Sequence, residues 1–484
     1  MHRRYMIFAM IAWVGIASFA HAIEPAVDLG SKRELFVDRY LIAKLTNARL
    51  ELGCLRDEGA VLKFDQPWEG AFCGYCTVIR DGNLFRLYYR GLPSAGSDGS
   101  AAECTCYAES KDGIHWTKPA LGLYEKNGSR QNNVILSNAE PVTHNFCPFL
   151  DARPDASLSE RYKALGGTAS SGLIAYFSGD GIHWKKFRDQ PVVRAEGWVF
   201  DSQNVSFWSA AEERYVLYFR KAAGGKRAVA RATSLDFVHW SQPVAMIFSD
   251  TGTDIPSQHL YTNQTQPYFR APHIYIATSA RFMPGRRVVS DTDAKRLGVH
   301  PNYFGDTSDA VLMTSRGGNR YERAFLDGFL RPGIGLENWV SRTNYPALNI
   351  VQTGPTEMSL YANQNYGQPT AHLHRYSMRL DGLASVRAPL SGGDLLTRPL
   401  RFSGRRLLLN AATSAAGGLR VEIQDTDGKP IPGFSSKDCD EMIGNEIERP
   451  VRWNGKDDVG VLASRAVRLR IEIKDADLYA MRFE

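Results

Sequence analysis

The chain has 484 residues, 58 Lys and Arg against 52 Asp and Glu, and a formal net charge of +6. So mild an excess, with no long Lys/Arg run, argues against nucleic acid as a partner. Evenly spread aromatics (11% of residues), frequent Gly and Pro and no long helical periodicity point to an all-β chain of many short strands.

In chain order, His2, Arg3 and Arg4 precede an apolar run from Met6 to Phe19 and the small-x-small tripeptide Ala20-His21-Ala22, the pattern of a cleaved signal peptide over residues 1–22. The mature chain is expected to start near Ile23 and to be secreted or periplasmic. The run is shorter than the roughly 20 residues that span a bilayer, so no membrane span is expected. Glu34 to Ile42 reads as a strand standing before the first repeat, placed to close a ring against the last one.

Then a phrase recurs: Ser110-Lys-Asp112-Gly-Ile-His-Trp116, Ser178-Gly-Asp180-Gly-Ile-His-Trp184 and Ser234-Leu-Asp236-Phe-Val-His-Trp240, followed by worn copies at Ser315 and Ser377. Successive copies lie 68, 56, 81 and 62 residues apart, the size of a four-stranded propeller blade. Ser and Asp can close a turn on backbone amides, and Trp can plug the space between blades, so the phrase and its histidines (His115, His183, His239) read as scaffold. A hairpin precedes each copy, clearest at Tyr75–Ile79 returning as Leu84–Arg90 through Asp81-Gly82-Asn83. Five blades are thus expected to start near Glu69, His144, Asp201, Tyr261 and Arg342. The predicted architecture is a five-bladed β-propeller over residues 23–390 and a β-sandwich over 391–484, where alternating segments (406–410, 419–424, 467–474, 478–483) replace the repeat.

In a propeller, first strands begin at one end of the central channel, and second strands return there. The starts supply Glu69, His144, Asn145, Asp201, Gln203, Asn204, His259, Tyr261, Asn263, Arg342 and Asn344, and three second strands end in Arg90, Arg220 and Arg281. Guanidinium groups match carboxylate or sulfate, which favours a uronate or sulfated sugar; pairing with acids such as Glu69, Asp201 or Asp254 is the structural alternative. Glycoside hydrolysis needs two carboxyl groups, and position nominates Asp201 as acid with Glu69 as partner. Asp254, Glu337 and Asp38 stand in reserve, and Glu357 belongs to the opposite end of the channel. Cys73-x-x-Cys76 and Cys104-x-Cys106 read as small core residues rather than a metal site; with seven cysteines in an exported chain, at least one is left without an intramolecular partner. No metal and no cofactor is expected, apart from a calcium ion that could plug the channel.

The hairpins, the Ser-x-Asp-x-x-His-Trp strand ends and the trailing sandwich resemble the five-bladed glycosidase superfamily of invertases, levanases, arabinanases and β-xylosidases, over roughly residues 34 to 390. Glu34-Leu-Phe-Val-Asp38-Arg-Tyr-Leu and Phe200-Asp201-Ser-Gln-Asn204 are similar to a group of exported proteins common among planctomycetes. The superfamily resemblance implies acids on the first strands of blades one, two and three. This chain has Gly74-Tyr75 at the first position, Asn145 at the second and Asp201 at the third, so one acid of the three is kept. The resemblance thus implies a glycoside hydrolase acting on a carbohydrate, with a non-catalytic carbohydrate-binding protein, a glycoside phosphorylase or a sialidase-like enzyme as alternatives.

Overall fold

The computed structural model describes residues 25–96 and 98–484; the expected signal peptide lies outside the described residues. The chain forms a five-bladed β-propeller followed by further β-sheet at the C-terminus.

From channel to periphery, blade one runs Gly74–Asp81, Leu84–Gly91, Cys104–Ser110 and Val134–Leu136. Blade two is Cys147–Leu150, Tyr162–Gly166, Ile174–Ser178 and Lys185–Lys186, and blade three is Val205–Ser209, Arg214–Ala223, Lys226–Ser234 and Val244–Ala245. Blade four has three long strands, His259–Tyr268, Ala271–Met283 and Thr307–Ser315. In blade five, Tyr345–Pro346 and Val351–Gln352 pair with Glu357–Gln364, which pairs with His372–Arg379.

The ring closes differently from expectation. Its closing strand is Arg56–Lys63, antiparallel to His372–Arg379 with Leu62 opposite Leu373. The predicted strand over 34–42 is broken: Glu34–Leu35 is extended and pairs with the C-terminal strand Arg468–Phe483, and Ile42 opens a separate strand. Ile42–Thr46 and Arg49–Leu52 likewise pair with Gly393–Thr397 and Ala384–Ala388, so the chain's beginning is built into the C-terminal sheet. The apolar side chains explain this: Leu29, Phe36, Leu41 and Ile42 share one core with Leu395, Leu409 and Ile471. The four C-terminal segments read from the sequence merge into two long strands, Leu407–Gln424 and Arg468–Phe483, paired along their length with a register shift between Thr413 and Gly418.

The repeated phrase does what its turn chemistry implies. Ser110 Oγ accepts from the Gly113 amide at 2.9 Å, and Asp112 Oδ1 accepts from the Ile114 and His115 amides at 2.8 Å each. Asp112 Oδ2 meets His115 Nδ1 at 2.7 Å, and the same contacts recur at Asp180 and Asp236. These turns also bolt blades together. Tyr361 of blade five donates to the Gly113 carbonyl at 2.6 Å, and Tyr88 of blade one donates to the Gly181 carbonyl at 3.0 Å.

Candidate functional site

One rim of the channel collects the first-strand starts, and its backbone is unusual. Tyr75, Phe200, Arg342 and Asn344 all hold positive φ (53°, 61°, 59° and 66°), a conformation that side chains with a Cβ adopt only when their surroundings hold them. Each turns the chain sharply as it enters the channel and aims the adjoining side chains across the rim.

Asp201 is a half-exposed carboxylate there, its side chain 42% exposed, as is Asp98 at 45%. Arg220, buried beneath Asp201, pairs with its Oδ2; Trp198 Nε1 donates to the same oxygen at 3.3 Å, and His144 Nε2 stands 3.5 Å from Oδ1. Burial would raise its pKa, but the His144 hydrogen bond and the Arg220 charge overcome that and hold the carboxyl down at about 2. Asp201 is therefore ionised at neutral pH in this arrangement, which suits a base, a nucleophile or a charge stabiliser better than the proton-donating acid expected from its position.

Behind it, His144 Nδ1 lies 3.0 Å from Oε1 of Glu103, which is fully buried. Burial lowers the imidazole pKa, yet the two carboxylates on its opposite nitrogens raise it overall, against the opposing charge of Arg90. The result is a line of carboxylate, imidazole and carboxylate running from the rim inward. Asp98, Glu103 and His144 also bring ligand-type atoms within 4.8 Å of one another. Arg90 Nη1 sits among them, 3.7 Å from Asp98, 3.5 Å from Glu103 and 3.2 Å from His144 Nδ1, so a guanidinium takes the place a metal ion would fill.

The rest of the rim is arginine on aromatic rings. Arg90 lies 4.8 Å over Tyr75, and Tyr261 underlies three guanidinium groups: Arg227 at 4.5 Å, Arg220 at 5.0 Å and Arg342 at 5.5 Å. Arg220 and Arg227 also stack on Trp198, and Arg342 on Tyr303 and Tyr366. Among the described residues Arg227 and Arg342 have no carboxylate partner, whereas Arg90 and Arg220 do. The Arg227 pKa is lowered, first by burial and then by the charge of Arg220, the mark of a cation held beside another cation.

Directly below the rim the channel is plugged, and it opens again only at its opposite end, in a cavity of about 320 Å³ lined by Val78, Phe149, Val205, Thr265 and Leu348. Gln203 donates to Thr77 Oγ1 at 3.0 Å and accepts from Gln264, which donates in turn to the Pro346 carbonyl at 3.0 Å. The gap left under Tyr75, Arg90, Tyr261 and Arg342 is about 20 Å³, room for roughly one water. A ligand larger than that must lie across the rim.

Of the residues expected at the site, Asp201, His144, Arg90, Arg220, Tyr261 and Arg342 meet there, with Gln203 as floor. Glu69 does not. It is fully buried inside blade one, accepting from Tyr89 at 2.5 Å, the Gln66 amide at 3.0 Å and Lys118 at 2.7 Å, so its carboxylate is spent on holding the blade. Arg281 is pinned to Asp309 at 2.7 Å and to the Leu326 carbonyl at 2.9 Å, away from the mouth. Asn145 bridges Gly167 and Phe200, Asn263 bonds Thr265, Ser279 and Tyr321, and Asn344 bonds Ser308, Asn338 and Gln364. Asn204 donates to the Phe200 and Ser202 carbonyls. Asn145, Asn204 and Asn344 thus anchor the rim's backbone, and Asn263 is tied into a hydroxyl network inside blade four. His259 accepts from the Arg227 amide at 3.3 Å. Two of the reserve acids are occupied as well, Asp38 by Arg316 and Asp254 by Lys221, while Glu337 lies in the short helical turn Leu336–Asn338; Glu357, expected at the opposite end, pairs with Arg375. Glu103 and Arg227 went unread because they begin third strands. Third strands start at the same rim as first strands, and that rule would have found both.

No family model and no curated protein matches the chain. Solved structures resemble it in fold. A structure named only as a glycoside hydrolase aligns at 10% identity and TM-score 0.45, covering 67% of this chain and 92% of that one. An N-acetylgalactosamine deacetylase from F. plautii, in complex with blood group B trisaccharide, aligns at 14% identity and TM-score 0.43, over 70% and 97% of the two chains. A protein of unknown function from Dyadobacter fermentans aligns at 11% identity and TM-score 0.41, over 69% and 99%. Likenesses this distant extend to the fold and no further.

Proposed function

We propose that this is an exported protein that acts on an anionic carbohydrate, a uronate or sulfated saccharide laid across the propeller rim. The observation that carries the reading is the pair Arg227 and Arg342, two guanidinium groups over the Tyr261 ring that have no carboxylate partner among the described residues. An acid group between them would receive planar, charge-assisted hydrogen bonds, while the aromatic faces of Tyr261 and Trp198 suit the apolar face of a sugar ring. Asp201, ionised at the edge of that cradle, would serve as base or nucleophile, with the His144–Glu103 pair fixing its orientation and handling a proton at His144 Nε2.

The test is release of reducing ends from neutral, uronic and sulfated oligosaccharides, with and without inorganic phosphate. Turnover confined to anionic substrates, with Arg227→Ala and Arg342→Ala each weakening it by about tenfold or more, supports the reading. Preference for neutral glycans overturns it, and dependence on phosphate would turn the same arginines into a phosphate site for phosphorolysis. A second reading, carbohydrate binding without catalysis, is favoured by one observation: with Glu69 inside blade one, the carboxylate aligned with Asp201 is Glu103, which has no exposed surface. Binding of anionic glycans without turnover would establish it.

A further inference from the structure

Beside the mouth lies a much larger recess. It has a volume of about 530 Å³, against about 20 Å³ under the rim, and is walled by blade four and by the 326–339 segment that leads into blade five. Three arginines line it, Arg281, Arg286 and Arg331, together with Trp339. Arg281 is held rigid by Asp309, as described above. Arg286 and Arg331 are exposed and, among the described residues, make no ion pair with an acid. Asp327 also lines the recess, so the arginines outnumber the acids.

The recess and the mouth share a wall. Ser308 lines the recess, its Oγ accepts from the Arg342 amide at 3.2 Å, and its carbonyl accepts from Asn344 Nδ2 at 3.1 Å. Arg342 presents its guanidinium to the mouth over Tyr303 and Tyr366. A chain lying on the rim and passing Arg342 therefore meets the wall that the recess shares.

We propose that this recess is a second saccharide subsite, which binds the continuation of a polyanionic glycan whose first acidic sugar sits between Arg227 and Arg342. Arg286 and Arg331 take the acid group of a following unit, and Trp339 offers its ring to the sugar face. The inference rests on the reading that the rim takes an anionic glycan, and it adds that the ligand is a polymer bearing repeated acid groups rather than a single acidic sugar. The plug directly below the rim agrees with this, since the ligand has to extend sideways.

The experiment measures binding of galacturonic acid and of its oligomers of two, four and eight units to the full chain, at low and high salt. The variants are Arg286→Ala, Arg331→Ala and their double, all at exposed positions, with the melting temperature as a control for folding. The expected result is affinity that rises with length in the parent. In the double variant the longer oligomers bind roughly tenfold or more weakly, with a shallower salt dependence, while the single sugar binds as before. Equal affinity of all lengths, or long oligomers binding the double variant as they bind the parent, overturns the second subsite while leaving the rim reading standing. Failure of every acidic length, the single sugar included, overturns the rim reading and the subsite with it.

Discussion

Glu69 and Asp201 are both acids near a first strand, yet the structure gives them opposite jobs, and one pair of substitutions separates them. Glu69 is fully buried with Lys118 Nζ at 2.7 Å, Tyr89 Oη at 2.5 Å and the Gln66 amide at 3.0 Å. Removing one partner of a buried ion pair leaves the other desolvated and uncompensated, at a cost of about 3 to 5 kcal/mol. Unfolding entropy of about 2 cal/mol/K per residue over a propeller of roughly 330 residues comes to about 0.7 kcal/mol/K, so Glu69→Ala should lower Tm by roughly 4 to 7 °C. Glu69→Ala combined with Lys118→Met should lose less than the sum of the single changes by about 1 to 3 kcal/mol, because the orphaned charge is then gone. Thermal and urea unfolding read the stability, and glycan binding or turnover at a permissive temperature reads the function. Asp201→Asn should do the reverse, holding Tm within a degree or two and losing function. A Glu69→Ala protein that melts like the parent yet has lost activity would refute the assignment and return Glu69 to the chemistry.

Because its folded pKa of about 2 lies below the usual carboxylate value, Asp201 contributes stability that is present above about pH 4 and lost as pH falls toward 2. With the side chain 42% exposed that contribution is discounted to about 1 kcal/mol, seen as a gap between parent and Asp201→Asn urea midpoints that closes on acidification. His144 runs the other way: its pKa is raised, so its contribution is full below the free imidazole value and lost as pH climbs through the folded one, and Asp201→Asn should lower its NMR midpoint. Asp112→Ala removes the acceptor of two amides in a turn that docks on blade five and should cost about 1 to 2 kcal/mol in unfolding free energy, whereas His115→Ala, with its ring 86% exposed, should cost under about 0.5. Phe237 occupies with φ 68° the place that Gly113 and Gly181 hold in the other copies, but it is fully buried against Phe149, Phe187 and Tyr215. Phe237→Gly should therefore destabilise by about 3 kcal/mol despite relieving the backbone, and a stabilised variant would show that strain outweighs packing there.

Blade number and register were legible because the turn phrase carries its own hydrogen bonds. Ser110, Asp112 and Gly113 satisfy one another within four residues, so the motif survives in sequence as a unit and recurs where the third strands of blades two and three end. The ring closure was not legible, because it is a pairing between residues more than 300 positions apart: nothing local in Arg56–Lys63 distinguishes a closing strand from Glu34–Ile42, which is richer in apolar residues. What decides between them is tertiary. The 34–42 segment's apolar side chains have the C-terminal core to enter, while Arg56–Lys63, largely polar and half-exposed, suits the outer edge of a blade.

The site divides along the same line. Residues whose place follows from strand direction, namely Asp201, His144, Arg90 and Arg220, lie together at the rim; residues whose surroundings depend on a partner elsewhere, Glu69 and Arg281, lie away from it. Arg90, Arg220 and Arg281 occupy equivalent second-strand ends, but blade four sets Asp309 directly opposite Arg281, while Arg90 faces Thr105 and Arg220 faces Val229. Asp309 neutralises Arg281 from directly opposite, whereas Arg90 and Arg220 reach to strand starts of their own blades, Glu103 and Asp201, at the mouth. Third-strand residues thus decide whether a second-strand arginine is scaffold or site. In blade three the third strand supplies Arg227, a further cation, where blade four supplies an acid, and that single difference in sign leaves the rim with positive charge that its own carboxylates do not match.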